Sequence, residues 1–208
     1  GIIGGLYSST ATISVLARKS RKASEQEATD YVAAMLLAVS MMFLRFMILI
    51  LIFSREIFLS IYPYLLTMAV VAAIVAWFIH SRQKRPEDQS AETEEDDSSN
   101  PLEFKVALIF AVLFVIFTFL THYTLVYAGT GGLNLLSFVS GFSDITPFIL
   151  NLLQNTGSVA ALIITACSMQ AIISNIMVNM FYALFFAGKG SKLRPWILGG
   201  FGVVIACN

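Results

Sequence analysis

Gly141-Phe142-Ser143-Asp144-Ile145-Thr146-Pro147-Phe148 is a polar, helix-breaking phrase inside sequence that otherwise reads as lipid-soluble. A near copy, Gly5-Leu6-Tyr7-Ser8-Ser9-Thr10-Ala11-Thr12, stands close to the start of the chain. Laid together without gaps, Gly5 falls on Gly141, a large apolar residue follows, then a Ser/Thr/Asp cluster, then an apolar run. Non-helical backbone at membrane depth survives only where protein or a water-filled cavity satisfies its polar groups. Broken helices at corresponding positions of two halves are the best sequence pointer to a transporter's binding site.

Composition puts both phrases in a bilayer. The 208 residues are 57% hydrophobic and only 12% charged, with seventeen Phe, against the roughly 25% charge of an average soluble domain. Several apolar runs approach the ~20 residues that a crossing helix needs. Net charge is zero, so no global field argues for nucleic acid as a partner. Cys167 and Cys207 lie in apolar runs without CxxC or Cys/His spacing, so both read as small buried apolar residues. The chain opens at Gly1 without a signal-peptide pattern and stops inside a hydrophobic run. The expectation is a piece of a longer membrane protein, with a helix before Gly1.

In chain order, residues 1–17 are apolar but short and interrupted by Tyr7-Ser8-Ser9-Thr10, and the basic run Arg18–Lys22 follows. Span one covers Tyr31–Phe53, Arg55-Glu56 make a tight turn, and span two covers Phe58–His80 with Pro63 in its first turns. Residues 81–101 hold seven of the chain's thirteen acidic residues and almost nothing apolar, so they read as a solvated linker. Span three is Leu102–Tyr127. A loop at Ala128–Gly132 leads to Leu133–Leu153, broken at Gly141–Asp144, then to the long segment Ser158–Ala187 and a last span from near Pro195.

Lys and Arg mark cytoplasmic loops, and there are three basic clusters: Arg18–Lys22, Arg82–Arg85 and Lys189–Arg194. If Leu133–Leu153 crossed the bilayer, the third cluster would be stranded on the wrong face; if it dips in and returns, all three share one side. The same device fits residues 1–17. The sequence therefore predicts an all-α integral membrane fold of two inverted-topology repeats, each with transmembrane helices plus a re-entrant helical hairpin. They cover residues 1–80 and 102–208, joined by an acidic cytoplasmic linker over 81–101. The two hairpin tips should meet near the midplane.

Two charges sit at membrane depth, Arg45 in span one and Asp144. A central Arg costs roughly 2.5–3.5 kcal/mol on insertion scales, so it should face the bundle interior and find a partner. Either it contributes to a substrate site or it pairs structurally with Asp144 or with hairpin carbonyls. Ser8-Ser9-Thr10 and Ser143-Asp144 have the composition of helix N-caps. Half-helices starting there would aim N–H groups and positive dipole ends at the tips. With Arg45 these suit an anion or a carboxylate; Asp144, with hydroxyls and free carbonyls, suits a cation or a proton. Gln170, Ser174, Asn175 and Asn179 recur at helical spacing and serve as interhelical glue or line a polar path. His122 reads as interfacial and His80 as surface.

No Ser/His/Asp order, HExxH, P-loop or dinucleotide fingerprint occurs, so no enzyme and no cofactor is expected. Gly1 and Gly5 form a GxxxG that serves hairpin packing ahead of dimerisation; a homodimer is the partner it leaves open. The candidate substrate-binding residues are thus Ser8, Ser9, Thr10, Arg45, Ser143, Asp144, Thr146 and Asn175. Asp144 is the one deep carboxylate for a metal. The partners are the lipid bilayer and a small ion or solute. The rival reading is a non-transporting scaffold or regulator in which Arg45 and Asp144 form a structural lock.

Gly4-Gly5-Leu6-Tyr7-Ser8-Ser9-Thr10-Ala11-Thr12 followed by Leu16-Ala17-Arg18-Lys19, together with Ala33–Leu37, Met42–Arg45 and Ser140–Asp144 leading to Thr146-Pro147-Phe148, carry a family resemblance. The chain resembles the domain of unknown function (number 4010) found C-terminally in MgtC/SapB-like bacterial membrane proteins. That resemblance implies a bacterial inner-membrane protein with an MgtC-like module upstream. It also brings a magnesium-transport label that derives mainly from that other module. Mg²⁺ wants octahedral oxygen ligands, and Asp144 alone offers a carboxylate at depth.

Overall fold

A computed structural model describes residues 2–21, 23, 25–81, 101–142, 144–155, 159–187 and 193–206. These form seven helices: α1 Ile2–Ser20, α2 Glu25–Phe53, α3 Arg55–Ser81, α4 Pro101–Ser140, α5 Ile145–Gln154, α6 Ala161–Ala187 and α7 Arg194–Ala206. Among the described residues four helical stretches are long and apolar enough to cross a membrane: Ala28–Phe53, Arg55–Ser81, Ala111–Ser140 and Ala161–Ala187. Their outward faces stay apolar, with Trp77 69% and Leu162 80% exposed. Water would make such surface costly; lipid tails do not. The chain is a multi-span membrane protein.

Lipid is as apolar as leucine, so these helices associate by close packing and interhelical hydrogen bonds rather than by hydrophobic burial. The stripe Ile61, Leu65, Met68, Ala69, Ala72, Ala76 on α3 is buried; its spacing of three and four lays it along one helix face, and α2 packs against α3. The small alanines let the backbones approach, and Ser40 Oγ donates to the Ala69 carbonyl at 2.8 Å. α7 packs against both α2 and α3, and Gly200 takes the tip of Leu36, whose Cδ1 would lie 2.7 Å from any added Cβ.

Several helix ends differ from the sequence reading. The turn between spans one and two is made by Ser54 alone, not by Arg55-Glu56, which open α3. Ser54 Oγ accepts from the Ile57 N–H at 3.4 Å and so caps that start. Pro63 consequently falls in the helix body rather than in its first turns. The loop expected at Ala128–Gly132 is a single break inside α4 at Gly129, with φ 58° and ψ −148°. That left-handed backbone is one that glycine adopts without a Cβ penalty, so one residue does the work of a loop. Ser143, residues 82–100 of the acidic linker, Cys207 and most of the third basic cluster lie outside the described residues.

Two interruptions place the site. In α1 the helix breaks at Ser8, whose φ −157° and ψ 108° are extended. Between α4 and α5 the chain turns at Gly141–Phe142, and Asp144 precedes α5 with extended φ −80°, ψ 114°. The second turn lies beside the middle of α6. There Ser174 Oγ donates to the Phe138 carbonyl at 2.7 Å and Asn175 Nδ2 to the Gly141 carbonyl at 3.1 Å. The first break lies beside the middle third of α2, where Ser9 Oγ donates to Met42 Sδ at 3.3 Å.

From these breaks the two half-helices leave in opposite directions. α1 runs to the C-terminal end of α6, where the Arg18 guanidinium carbon stands 4.5 Å from the Phe186 ring centroid. α5 runs to the N-terminal end of α6, and the Val159 N–H donates to the Asn155 carbonyl at 3.1 Å on the way in.

Candidate functional site

Extended backbone at Ser8 frees its hydroxyl to reach forward, and Ser8 Oγ accepts from the Ala11 N–H at 3.3 Å. Asp144 does the same for α5, its Oδ1 accepting from the Thr146 N–H at 2.9 Å. Each satisfies one of the orphan donors that open a helix. In the gapless alignment of the two phrases Ser8 stands on Asp144 and Thr10 on Thr146. The two caps therefore occupy one position of a shared pattern, neutral in the first copy and charged in the second.

Both capped ends open onto one cavity of about 470 Å³. Ser8, Ser9, Thr10, Arg45, Asp144 and Asn175 all line it, so six of the eight residues singled out from the sequence converge in three dimensions. Arg45 comes from α2, Asn175 from α6, and the others from the two breaks. Thr146 is buried and does not line the cavity; its Oγ1 accepts a hydrogen bond from Arg45 Nη2 instead. Ser143 lies outside the described residues.

Thr146 joins the half-buried Arg45 to the exposed Asp144. Its hydroxyl takes the Arg45 guanidinium while its backbone N–H holds the Asp144 carboxylate. Arg45 is further packed over its neighbour Phe46, 5.4 Å from guanidinium carbon to ring centroid. Hydrogen bonds to charged groups are worth roughly 1.5–3 kcal/mol, about twice a neutral one. This bond therefore fixes both the arginine and the start of α5.

Behind the lining, Asn179 Nδ2 donates to Asn175 Oδ1 at 3.1 Å while Asn175 Nδ2 holds the Gly141 carbonyl. The Asn175 amide is thus oriented from both sides. The polar stripe on α6 has a packing role at Ser174 and Asn179, both buried, and reaches the cavity at Asn175.

Sequence reasoning missed the aromatic wall. Phe46, Phe142, Tyr182 and Phe186 also line the cavity. A signal was present: Asn175, Asn179, Tyr182 and Phe186 continue a single i, i+4, i+7, i+11 stripe. Of the two histidines, His122 is exposed beside Tyr123. His80 is exposed and pairs with Asp30 at 2.9 Å, tying the end of α3 to the start of α2. Neither touches the cavity.

A protein of Aquifex aeolicus (strain VF5), described only as uncharacterized, is 25% identical over 197 residues, which is 92% of this chain and 83% of that protein. No solved structure matches the chain. Residues 1–187 match the family described as Domain of unknown function (DUF4010), a range that includes every residue lining the cavity, and the chain belongs to that family.

Proposed function

We propose that the chain is a membrane transporter that binds a small ion or solute between two re-entrant hairpin tips. The observation that carries this reading is that both helix breaks, Arg45 and Asn175 open into one shared cavity. A charged side chain kept at membrane depth marks a site by default, and this one is paired with two capped half-helix starts.

The inverted repeat is part of the proposal, and three features support it. The packing contacts among α1, α2, α3, α5, α6 and α7 map onto themselves when α1 is exchanged with α5, α2 with α6 and α3 with α7. α1 and α5 leave the cavity toward opposite ends of α6. Finally, the 10 residues of α5 rise roughly 15 Å, half of a ~30 Å hydrocarbon core, a length too short to cross and suited to one arm of a re-entrant hairpin. Arg18 beside Phe186, and His80 beside Asp30, gather the flanks of the basic clusters at one end of the bundle. By the charge rule that end is cytoplasmic.

The site is chemically ill-suited to a bare divalent cation. Such an ion would meet one carboxylate, already accepting from the Thr146 N–H, with a guanidinium beside it. The cavity binds and releases rather than converts. In proteoliposomes holding the purified chain, saturable uptake of a small solute above protein-free liposomes is expected. Folded protein that moves none of a panel of inorganic ions, carboxylates and amino acids would instead make it a scaffold, with Arg45–Thr146–Asp144 as its lock.

A further inference from the structure

The transport reading leaves the sign of the substrate open; the lining of the cavity narrows it. We infer that the site takes a zwitterion, an α-amino acid with an apolar side chain, its carboxylate toward Arg45 and the Ser8-capped end of α1 and its ammonium toward Asp144. This rests on the cavity being a transport site.

Three observations carry it. First, Arg45 and Asp144 line the same cavity and are held on either side of one residue, Thr146. An anion alone would face the Asp144 carboxylate, and a cation alone would face the guanidinium. Either would be attracted by one of these lining groups and repelled by the other. A ligand whose own opposite charges flank a single carbon compensates both.

Second, the two caps have diverged where the repeats coincide. Ser8 caps α1 with a neutral hydroxyl, leaving the positive end of that half-helix to act on a ligand carboxylate, with Ser9 and Thr10 beside it. Asp144 caps α5 with a full negative charge. The lining therefore carries both signs, positive at Arg45 and the start of α1 and negative at Asp144.

Third, about 470 Å³ is far more room than an inorganic ion fills and lies in the range of small-molecule sites, roughly 300–1,000 Å³. Much of the remaining wall is aromatic, from Phe142, Tyr182 and Phe186. An apolar side chain fits that wall; a hydrated ion gains nothing from it.

The test is equilibrium binding to the purified full chain of L-leucine, 4-methylpentanoate (the same molecule without its ammonium), isoamylamine (without its carboxylate) and magnesium chloride, with alanine and phenylalanine as size controls. At least one of the three amino acids is expected to bind about ten-fold or more tightly than either single-charge analogue or Mg²⁺. Asn caps a helix as well as Asp, so Asp144→Asn should fold, lose that preference and leave 4-methylpentanoate binding equal or tighter. Arg45→Lys keeps the charge and should retain part of the amino-acid binding. The proposal is overturned if 4-methylpentanoate or Mg²⁺ binds as well as the amino acids, if no amino acid binds, or if Asp144→Asn leaves the preference intact. Uptake separates the two levels. Phosphate, acetate or Mg²⁺ flux without amino-acid flux sinks the zwitterion and keeps the transporter, whereas no flux of any solute sinks both.

Discussion

Arg45→Ala is expected to cut saturable uptake at limiting substrate by about ten- to a hundred-fold while leaving the fold intact. Hydrogen bonds to a charged group are worth roughly 1.5–3 kcal/mol, and each 1.4 kcal/mol is about a factor of ten in binding. Two consequences of the substitution pull apart. The ligand loses its positive partner, and Thr146 loses the guanidinium that its hydroxyl accepts from. Yet the bilayer no longer has to accommodate an arginine, a cost of roughly 2.5–3.5 kcal/mol on insertion scales. Uptake should therefore collapse while the thermal midpoint in detergent falls little or rises, the pattern of a residue kept for function at the expense of stability. Arg45→Lys should fall between, since it keeps the charge but loses the planar fork. Uptake unchanged in Arg45→Ala would remove this residue from the site.

The second large effect is structural. A Cβ added at Gly141 would sit 2.3 Å from Ser174 Oγ, 2.4 Å from Ser174 Cβ and 2.8 Å from the Asn175 backbone nitrogen. A hydroxyl can rotate away, but a Cβ and a main-chain nitrogen cannot, so Gly141→Ala must push the turn off α6. That shift also stretches the bonds from Ser174 to the Phe138 carbonyl and from Asn175 to the Gly141 carbonyl. Overpacking costs about 1–3 kcal/mol, and each interhelical hydrogen bond adds about 0.6 kcal/mol. A clear drop in the thermal midpoint is expected, with loss of uptake because Asn175 leaves the cavity wall. Gly131 is the control: nothing lies within 4 Å of a Cβ built there, so Gly131→Ala should be neutral or slightly stabilising. Equal behaviour of the two variants would mean that the turn does not pack against α6 as described.

Much of this was legible in the residues because a bilayer leaves few choices. Uninterrupted apolar runs of about 20 residues announce their own helices, and clustered Gly, Ser and Asp within them announce breaks. Ser8 and Asp144 accordingly appear where their side chains can cap. The same logic overcounted loops. Ala128–Gly132 has the composition of a turn, but Gly129 alone supplies the left-handed backbone and helix resumes at once.

Contacts between distant segments were harder to read. Arg45 and Asp144 stand out as charges, but only the folded chain shows that Thr146, taken as a ligand residue, sits between them and outside the cavity. Tyr182 and Phe186 were hidden for a different reason. In a chain with seventeen Phe, one more aromatic reads as lipid-facing, and indeed Phe181 and Phe185 on the same helix are exposed. Which aromatics turn inward depends on the phase set by Asn175 and Asn179.

The central claim is that both helix breaks meet at a water-reached site, and thiol accessibility tests it most directly. In a background with Cys167→Ala and Cys207→Ala, a single cysteine at position 9 or 144 should react with a membrane-impermeant thiol reagent in sealed vesicles, and the transported solute should slow the reaction at position 9, where Asp144 is kept. If neither position is labelled from either face while the protein remains folded, the region between the breaks is dry packing and the transporter reading fails.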